Sequence, residues 1–516
     1  MMRTKKSIVN ILVNCLCYLV FMVATFVVRQ MFSRVLGLAL VGIDGGFSNI
    51  VSILAVVELG LGIGMSYKLY EPIFKKDWLK ISNFLNFLKK TYVVISSIIL
   101  ISAIIFSLFL VKLIGEDSGL TNLKLRIIFL LYTLDVISSY LFFHKRTMFI
   151  ADQKSYINNL IKIPIIILTV SSQIFVLIFL KSFELYIITK ITFRILENIL
   201  ISYFFKKHYP LIDLTNSKKL EPNERKEILK NIKAMLFHRI GGASIKQISG
   251  VIVLIFATLR ENGIFYNYLL ITGAVLGITS EIFNGISASF GNLLTTESEE
   301  KVYENFKVIF FLNFLIYSSF SAIFLNTVSP FMKIWIGTEN SIFSPALTVA
   351  ITVNLYLYGM KQSVDMVKSS AGIFLQDRFI PILETTLNFI VSFILAKKFG
   401  IIGAIIGGIL STILVPFISQ PYFIYKIVFN KKLIEYYKKY ILYTTLTIFY
   451  TIATYKLTGF IVAPSLILQI SINFLICLTL PTLINIIVFR KDKQLIFLSS
   501  VAGKVVKDFA NGLTRM

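Results

Sequence analysis

Residues Gly42–Pro72 read GIDGGFSNIVSILAVVELGLGIGMSYKLYEP, a run long and apolar enough to cross a bilayer that still carries the carboxylate of Glu58 inside it. A charged group at the centre of a spanning helix costs about 2.5–3.5 kcal/mol on insertion scales, so Glu58 should face a polar lumen or a basic neighbour. The same run holds five glycines after Asp44, at Gly45, Gly46, Gly60, Gly62 and Gly64. Because small residues let helices approach closely, the run predicts a span packed against other spans.

The composition extends this prediction to the whole chain. Of 516 residues, 56% are hydrophobic and the mean hydropathy is +0.79, whereas soluble domains are about 45–50% apolar. The chain carries 52 Lys and Arg against 27 Asp and Glu. These basic residues lie mainly in short connections between apolar runs, where they set membrane orientation. We therefore expect a membrane protein and no nucleic-acid partner.

No motif in the sequence points to an enzyme or to a bound metal. Cys15, Cys17 and Cys477 lack metal or disulfide spacing, and the three histidines form no triad or ligand pattern. There is no nucleotide-binding G-x-x-x-x-G-K-[ST] loop and no H-E-x-x-H pattern. We expect no enzyme activity and no cofactor, with the membrane potential or an ion gradient as the energy source.

The apolar runs predict an all-α polytopic membrane protein of about fourteen transmembrane helices. Their approximate limits are 8–33, 40–66, 91–113, 124–143, 158–180, 183–204, 234–258, 263–290, 306–328, 344–366, 379–396, 401–425, 439–457 and 463–488. Lys and Arg concentrate in the N-terminal tail and in every second connection. The positive-inside rule then places both termini in the cytoplasm.

The polar connection Lys206–Lys233 separates the first twelve spans into two sets of six. A faint repeat supports this division, because the second span of each set opens with Gly-Ile followed by Phe and Asn, over Gly42–Asn49 and Gly263–Asn267. Parallel repeats of this kind recur in transporters, with the substrate site between the halves. The predicted domains are a six-helix lobe at 1–215, a second six-helix lobe at 216–430, and two further helices with a cytoplasmic tail at 431–516.

A second inner connection, Pro72–Lys90, is amphipathic. It places Phe74, Trp78, Ile81, Leu85 and Leu88 at helical spacing, with lysines between them. We expect a helix that either lies in the cytoplasmic interface or packs on the inner ends of the spans.

Ionisable residues inside spans are the candidate functional residues. Lys190, Arg194 and Glu197 share one face of span six, and Arg239 and Lys246 share one face of span seven. The other charges assigned to spans are Arg29, Lys162, Glu58, Asp135, Glu281 and Glu384. For Arg29, Lys162 and Glu384, which lie toward span ends, snorkelling to the interface is the alternative.

Cations clustered on two adjacent helices are suited to an anion, since Arg offers phosphate a bidentate fork and Lys a mobile point charge. The predicted substrate-binding cations are Arg194, Lys246, Lys190, Arg239 and Arg29. The predicted coupling or gating acids are Glu58, Glu281, Glu197 and Asp135.

Three segments resemble one known family. The run FSNIVSILAVVELGLGIGMSYKLYEP, the pair FHRIGG and NGIFYNYLLI, and SASFGNLLTTESEEK at Ser287–Lys301 are similar to the Wzx-type polysaccharide-repeat flippases. That family belongs to the multidrug/oligosaccharidyl-lipid/polysaccharide (MOP) exporter superfamily, with the MATE exporters and the lipid II flippases. The similarity covers most of residues 1–310, and beyond them it rests on hydropathy and span number.

The resemblance implies a MATE-like bundle of two six-helix lobes around a central cationic cavity, with the last two helices beside a groove for a lipid tail. It implies alternating access and outward movement of an undecaprenyl-pyrophosphate-linked oligosaccharide across the bacterial cytoplasmic membrane, for capsule or exopolysaccharide synthesis. Membrane lipids and a polysaccharide polymerase would be the partners.

The chain departs from the family in span seven, where relatives carry an acidic Thr-Asp-Asn step and this chain has Ile248-Ser249-Gly250. An ion-coupling site is therefore not expected at that position. A pyrophosphate carries about two negative charges outward, and at about 2.3 kcal/mol per charge per 100 mV the membrane potential alone would drive it.

Four other functions are alternatives to this one. A lipid II flippase would share the fold and the cationic cavity, whereas a MATE-type multidrug exporter would need an acidic lumen for its cations. A membrane polymerase or ligase would need a sizeable outer loop, and the longest predicted outer connection is only Ile114–Leu123. A non-transporting scaffold would leave the charges inside the spans unexplained.

Overall fold

The computed structural model describes residues 2–55, 61–114, 119–215, 220, 222, 224–226, 247–337, 342–374, 376–501 and 503. Over these residues the chain is helical, without a strand. It forms two compact units, residues 1–270 and 271–516, and the division falls within helix α10.

The helices follow one another with short connections. Those that begin before residue 270 are α1 (Met2–Leu36), α2 (Leu38–Leu54), α3 (Leu61–Lys75), α4 (Trp78–Ile114), α5 (Asn122–Tyr140), α6 (Phe143–Ala151), α7 (Ser155–Phe175), α8 (Phe183–His208), α9 (Gln247–Phe256) and α10 (Leu259–Thr296). Those that follow are α11 (Glu299–Ile336), α12 (Pro345–Ser370), α13 (Ile380–Leu414), α14 (Pro416–Ile424), α15 (Ile434–Gly459) and α16 (Leu466–Phe489). A single π-helical turn extends α7 and another extends α14.

Most of the described residues of each of the fourteen predicted spans fall on these helices. Seven helices in the described part of the chain are long and apolar enough to cross a membrane, or eight if the bent pair α5–α6 is one span. Other helices have spanning length but more charge, such as the 26-residue α8, which carries Lys190, Arg194 and Glu197. The fold is therefore that of an all-α, multi-span membrane protein, as the sequence predicts.

Helix boundaries follow local sequence signals. Ser182 and Ser465 begin α8 and α16, and each hydroxyl accepts a hydrogen bond from the backbone N–H three residues later. Gly37 ends α1 at φ 87° and Gly400 interrupts α13 at φ 58°, in left-handed conformations that favour glycine. The interruption at Gly400 falls between predicted spans eleven and twelve, so one kinked helix contains most of both.

The segment Pro72–Lys90 differs from the interfacial helix that its amphipathic pattern suggests. It contains the last turn of α3 and the first turns of α4, which continues through predicted span three. Ile81, Leu85 and Leu88 are buried in a cluster with side chains of α5, α6 and α8. The part of the apolar face from Trp78 to Leu88 is therefore covered by protein, as in the second of the two alternatives, whereas Phe74 is 80% exposed.

Helices α15 and α16 pack against α11 in the second unit through buried polar and aromatic contacts. Asn326 on α11 accepts a hydrogen bond from the hydroxyl of Thr458 at 2.8 Å, and its backbone carbonyl accepts one from Asn473 at 2.8 Å. Phe314 stacks on Tyr443 with ring centres 4.3 Å apart. Hydrogen bonds between helices assist their association in lipid. The predicted division into 1–215, 216–430 and 431–516 stays a prediction.

A buried ion pair between the last turn of α12 and the connection that follows it predicts a stability effect. Lys368 contacts Asp377, and the two residues are 5% and 0% exposed. Removing one partner of a buried pair costs about 3–5 kcal/mol, because the remaining charge loses its compensation. We expect Lys368→Met to lower the free energy of unfolding in detergent by an amount of that order.

The matched variants are Lys368→Met/Asp377→Asn, which should recover part of the loss, and Lys75→Met. Lys75 pairs with Glu71, and their side chains are 65% and 69% exposed. Because exposed pairs contribute little, Lys75→Met should leave the unfolding curve unchanged. Equal stability of Lys368→Met and the unmodified protein would contradict the prediction.

Candidate functional site

The first unit holds a cavity of about 350 Å³ between α1, α2, α5, α7 and α8. Helices α1 and α7 supply most of its apolar lining, namely Phe21, Ala24, Val28, Ile165, Ile166 and Val170, and α8 adds Ile187. Most of the polar lining comes from α2, α5 and α8, namely Asp44, Ser48, Tyr132, Tyr186, Lys190, Arg194 and Glu197. Arg29, Thr25, Lys162, Thr169 and Gln173 complete it. The cavity therefore offers both hydrocarbon and charge to a ligand.

Arg29 on α1 is held by a carboxylate on α2. Its Nη2 lies 2.8 Å from Oδ2 of Asp44, and the hydroxyl of Tyr132 on α5 donates to Oδ1 of the same carboxylate. Asp44 is buried. Three helices thus share one polar contact inside the apolar bundle, which explains why Arg29 points inward rather than snorkelling to an interface.

The charged face of α8 pairs with α5. Lys190 Nζ lies 2.9 Å from Oδ2 of Asp135, and Arg194 Nε lies 3.4 Å from its Oδ1. Arg194 also reaches Oε2 of Glu197 from Nη1, at 3.5 Å. The spacing of Lys190, Arg194 and Glu197 puts all three on one helix face, and Asp135 is the partner that only the packed structure supplies.

Arg146 extends this network to α6. Its Nη1 lies 3.0 Å from Oε1 of Glu197, and its Nη2 donates to the side-chain oxygen of Asn198 at 2.7 Å. Asn198 in turn donates to the backbone carbonyl of Ser138 at 2.7 Å. Glu197 is therefore held from two sides and orients Arg194 toward the cavity.

Lys162 on α7 differs from the other cations of the cavity. Within the described part of the chain no carboxylate lies within 4 Å of its ammonium. The group lies instead over the ring of Phe21, with Nζ 5.6 Å from the ring centre. A cation on an aromatic face keeps its full charge available to a stronger partner.

The lining carries more positive than negative charge. Among the described residues its charged members are four cations and two carboxylates, namely Arg29, Lys162, Lys190, Arg194, Asp44 and Glu197. Adding Asp135 and Arg146, one anion and one cation, leaves the same excess of two positive charges. Because charges interact more strongly in a low-dielectric interior than in water, this excess favours an anionic ligand.

The predicted site residues separate into three groups. Arg29, Lys190, Arg194, Asp135 and Glu197 come together at the cavity of the first unit. Glu281 lies on α10 with an exposed side chain and is absent from the lining. Lys246, Arg239 and Glu58 lie outside the described residues. The binding and coupling roles of all of them stay predictions.

Four residues of the cavity and its network are not among the site residues that the sequence predicts, namely Asp44, Tyr132, Arg146 and Lys162. Asp44 lies near the start of predicted span two, and its only sequence signal is its position in an apolar run. The sequence predicts Arg146 in a cytoplasmic connection and Lys162 toward a span end, where snorkelling is the alternative. Which side of each helix faces the cavity depends on packing, so no local pattern distinguishes these residues.

A second charged cluster lies in the second unit. Lys361 Nζ is 3.8 Å from Glu384 and 4.0 Å from Asp365. Thr412 contacts Glu384 at 3.5 Å, and Glu384 is 2% exposed. Glu384 therefore does not snorkel to an interface, as one sequence interpretation proposed, but is paired within the protein.

The two Gly-Ile motifs of the sequence repeat meet where α2 contacts the start of α10. A Cβ on Gly42 would overlap the carbonyl oxygen of Leu259, and a Cβ on Gly263 would overlap that of Leu38. Gly42 thus lies against Leu259, four residues before Gly263, and Gly263 lies against Leu38, four residues before Gly42. Asn262 donates to the carbonyl of Gly42 at 2.9 Å. Only glycine permits so close an approach of two backbones.

No family model matches the sequence, and no curated protein matches it. Among solved structures, the lipid II flippase MurJ in an inward closed conformation superposes with a TM-score of 0.68 at 13% identity, over 94% of this chain and 99% of that one. A Vibrio cholerae MATE transporter superposes with a TM-score of 0.56 at 13% identity, over 83% of this chain and 99% of that one. An inward-facing multidrug resistance MATE transporter of the MOP superfamily superposes with a TM-score of 0.54 at 15% identity, over 76% of this chain and 92% of that one. These likenesses show the fold, and we conclude that the chain is a polytopic α-helical membrane protein built like MurJ and the MATE transporters.

Proposed function

We propose that the protein is a flippase of the MOP exporter type. It moves an undecaprenyl-pyrophosphate-linked oligosaccharide repeat unit from the inner to the outer leaflet of the bacterial cytoplasmic membrane, for capsule or exopolysaccharide synthesis. Both termini are in the cytoplasm, membrane lipids surround the bundle, and a polysaccharide polymerase receives the product. Transport proceeds by alternating access.

The observation that carries this proposal is the mixed lining of the cavity in the first unit. The excess positive charge of Arg29, Lys162, Lys190 and Arg194 suits a pyrophosphate, and the side chains of α1 and α7 suit a hydrocarbon chain. A lipid-linked pyrophosphate presents both groups at one end. A cationic drug would meet like charge in this cavity, which disfavours a multidrug exporter.

A second candidate function is export of lipid II, the peptidoglycan precursor. The observation that favours it is the likeness to MurJ, which extends over nearly the whole length of both chains. Lipid II also joins an isoprenoid to sugars through pyrophosphate, so the cavity chemistry supports both substrates equally.

The membrane potential is the proposed energy source, and no cofactor takes part. Outward movement of about two negative charges gains on the order of 4–5 kcal/mol per 100 mV. If transport into vesicles persisted at zero potential and stopped when a proton or sodium gradient was removed, this part of the proposal would fail.

Deletion of the gene tests the substrate class. We expect surface polysaccharide to fall to background and lipid-linked repeat units to accumulate on the cytoplasmic side, with peptidoglycan synthesis unchanged, because the repeat unit has lost its route across the membrane. The measurement is extraction of lipid-linked saccharides from the deletion strain and from the complemented strain.

The alternatives give different results in the same strain. Accumulation of lipid II with arrested wall synthesis would select the second candidate function. Unchanged lipid-linked intermediates together with greater susceptibility to cationic drugs would contradict both flippase proposals.

A further inference from the structure

We propose that Lys162 is the residue that binds the phosphate of the ligand, while Arg29, Lys190 and Arg194 form the fixed frame around it. The ligand class is an isoprenoid phosphate or pyrophosphate. The inference rests on the proposed function and assigns the contact within that cavity to one residue.

The ion pairs around the cavity support this assignment. Arg29 is engaged by Asp44, Lys190 by Asp135, and Arg194 by both Asp135 and Glu197. A phosphate that replaced one of these carboxylates would leave a buried anion without its partner, which is strongly unfavourable. These three cations therefore contribute positive electrostatic potential and determine the shape of the cavity, but they do not offer an unpaired group to the phosphate.

Lys162 can bind a phosphate without the loss of an ion pair. In the described residues its ammonium has the ring of Phe21 as its neighbour, at 5.6 Å, and no carboxylate within ion-pair distance. A phosphate that approaches it gains a charge-assisted hydrogen bond and breaks only a cation–π contact. The flexible four-carbon side chain of Lys also lets the ammonium follow the ligand through the cavity.

The surroundings of Lys162 indicate that the phosphate is attached to a hydrocarbon. Ile165 and Ile166 follow it by three and four residues on α7, so they share its helix face, and all three line the cavity. Phe21 adds an aromatic surface from α1. An isoprenoid phosphate fits this combination, whereas free phosphate leaves the apolar surface without a partner.

Binding of farnesyl pyrophosphate to the purified full-length protein in detergent tests the proposal, with farnesol and inorganic pyrophosphate as the other two probes. We expect Lys162→Gln to weaken farnesyl pyrophosphate binding by at least about tenfold, since it removes one charge-assisted contact. Farnesol binding should not change, because farnesol lacks the phosphate. Lys162→Arg should retain most of the affinity.

Two controls separate this role from a structural one. Lys456→Gln removes an exposed cation on α15 of the second unit and should leave all three affinities unchanged. Lys207→Gln removes an exposed cation at the end of α8, in the first unit but outside the cavity lining, and should likewise leave all three affinities unchanged. If Lys162→Gln loses farnesol and farnesyl pyrophosphate alike, its effect is on folding and the assignment is overturned.

The remaining outcomes distinguish this inference from the proposed function. Equal binding of farnesyl pyrophosphate by Lys162→Gln and the unmodified protein would overturn the role of Lys162 and leave the flippase proposal standing. Binding of inorganic pyrophosphate as tight as that of farnesyl pyrophosphate would overturn the isoprenoid part. If the unmodified protein does not prefer farnesyl pyrophosphate to farnesol, the flippase proposal itself fails.

Discussion

A disulfide between α2 and α10 is expected to stop transport completely. A Cβ on Gly45 would overlap the ring of Tyr266, whose own Cβ is one bond away, so cysteines at both positions come within disulfide distance. Under the alternating access proposed above, we expect this contact to open in the second conformation. In a chain with Cys15, Cys17 and Cys477 replaced by alanine, oxidised Gly45→Cys/Tyr266→Cys should lose transport and reductant should restore it.

The chain offers a matched control in the second unit. A Cβ on Gly359 of α12 would overlap the ring of Tyr317 on α11 in the same way, within a closely packed helix pair. Oxidised Gly359→Cys/Tyr317→Cys should therefore cross-link and remain active. The single variants Gly45→Cys and Tyr266→Cys measure any loss caused by substitution alone. Transport at the normal rate by the fully cross-linked α2–α10 variant would show that this contact does not open.

Replacement of Arg194 by alanine should lower transport by about tenfold or more, since it removes two charge-assisted contacts at once. Arg194 connects Asp135 on α5 with Glu197 on α8, and each carboxylate would keep one cation, Lys190 or Arg146. The positive excess at the cavity would also fall from two charges to one. Initial transport rates of the lipid-linked substrate in vesicles, at matched protein levels, measure the loss.

A double variant shows how Arg194 acts. Arg194→Ala/Asp135→Asn removes one cation and one anion, which restores the excess of two charges and leaves Lys190 free of its carboxylate. We expect it to recover much of the lost rate, because Arg194 belongs to the fixed frame. Rates equally low in the single and double variants would mean instead that the Arg194 guanidinium touches the substrate.

Much of the helix architecture was predictable from the sequence because it depends on local properties. Apolar runs of spanning length located the helices, and Gly400 accounts for the division between predicted spans eleven and twelve. The spacing of Lys190, Arg194 and Glu197 placed them on one face of α8 before any partner was known, because helix geometry alone determines which residues share a face.

The amphipathic segment Pro72–Lys90 shows what a local sequence pattern does not predict, namely the partner that buries an apolar face. The pattern predicts that the apolar side chains of Ile81, Leu85 and Leu88 are shielded from water. Both a lipid interface and neighbouring helices would shield them. The structure selects the helices, because side chains of α5, α6 and α8 close over that face. A hydrophobic face predicts burial, but it does not predict whether lipid or protein buries it.

The sequence by itself determined that this is a polytopic helical membrane protein with basic residues inside its spans, since hydropathy and charge are properties of single segments. Only the tertiary structure decided which cations are already paired. Arg29 meets Asp44 from α2, Arg194 meets Asp135 from α5, and Lys162 meets the ring of Phe21 from α1. These partners lie on other helices, so they depend on how the helices rotate and pack. For that reason we propose Lys162, which has no carboxylate partner among the described residues, for phosphate binding.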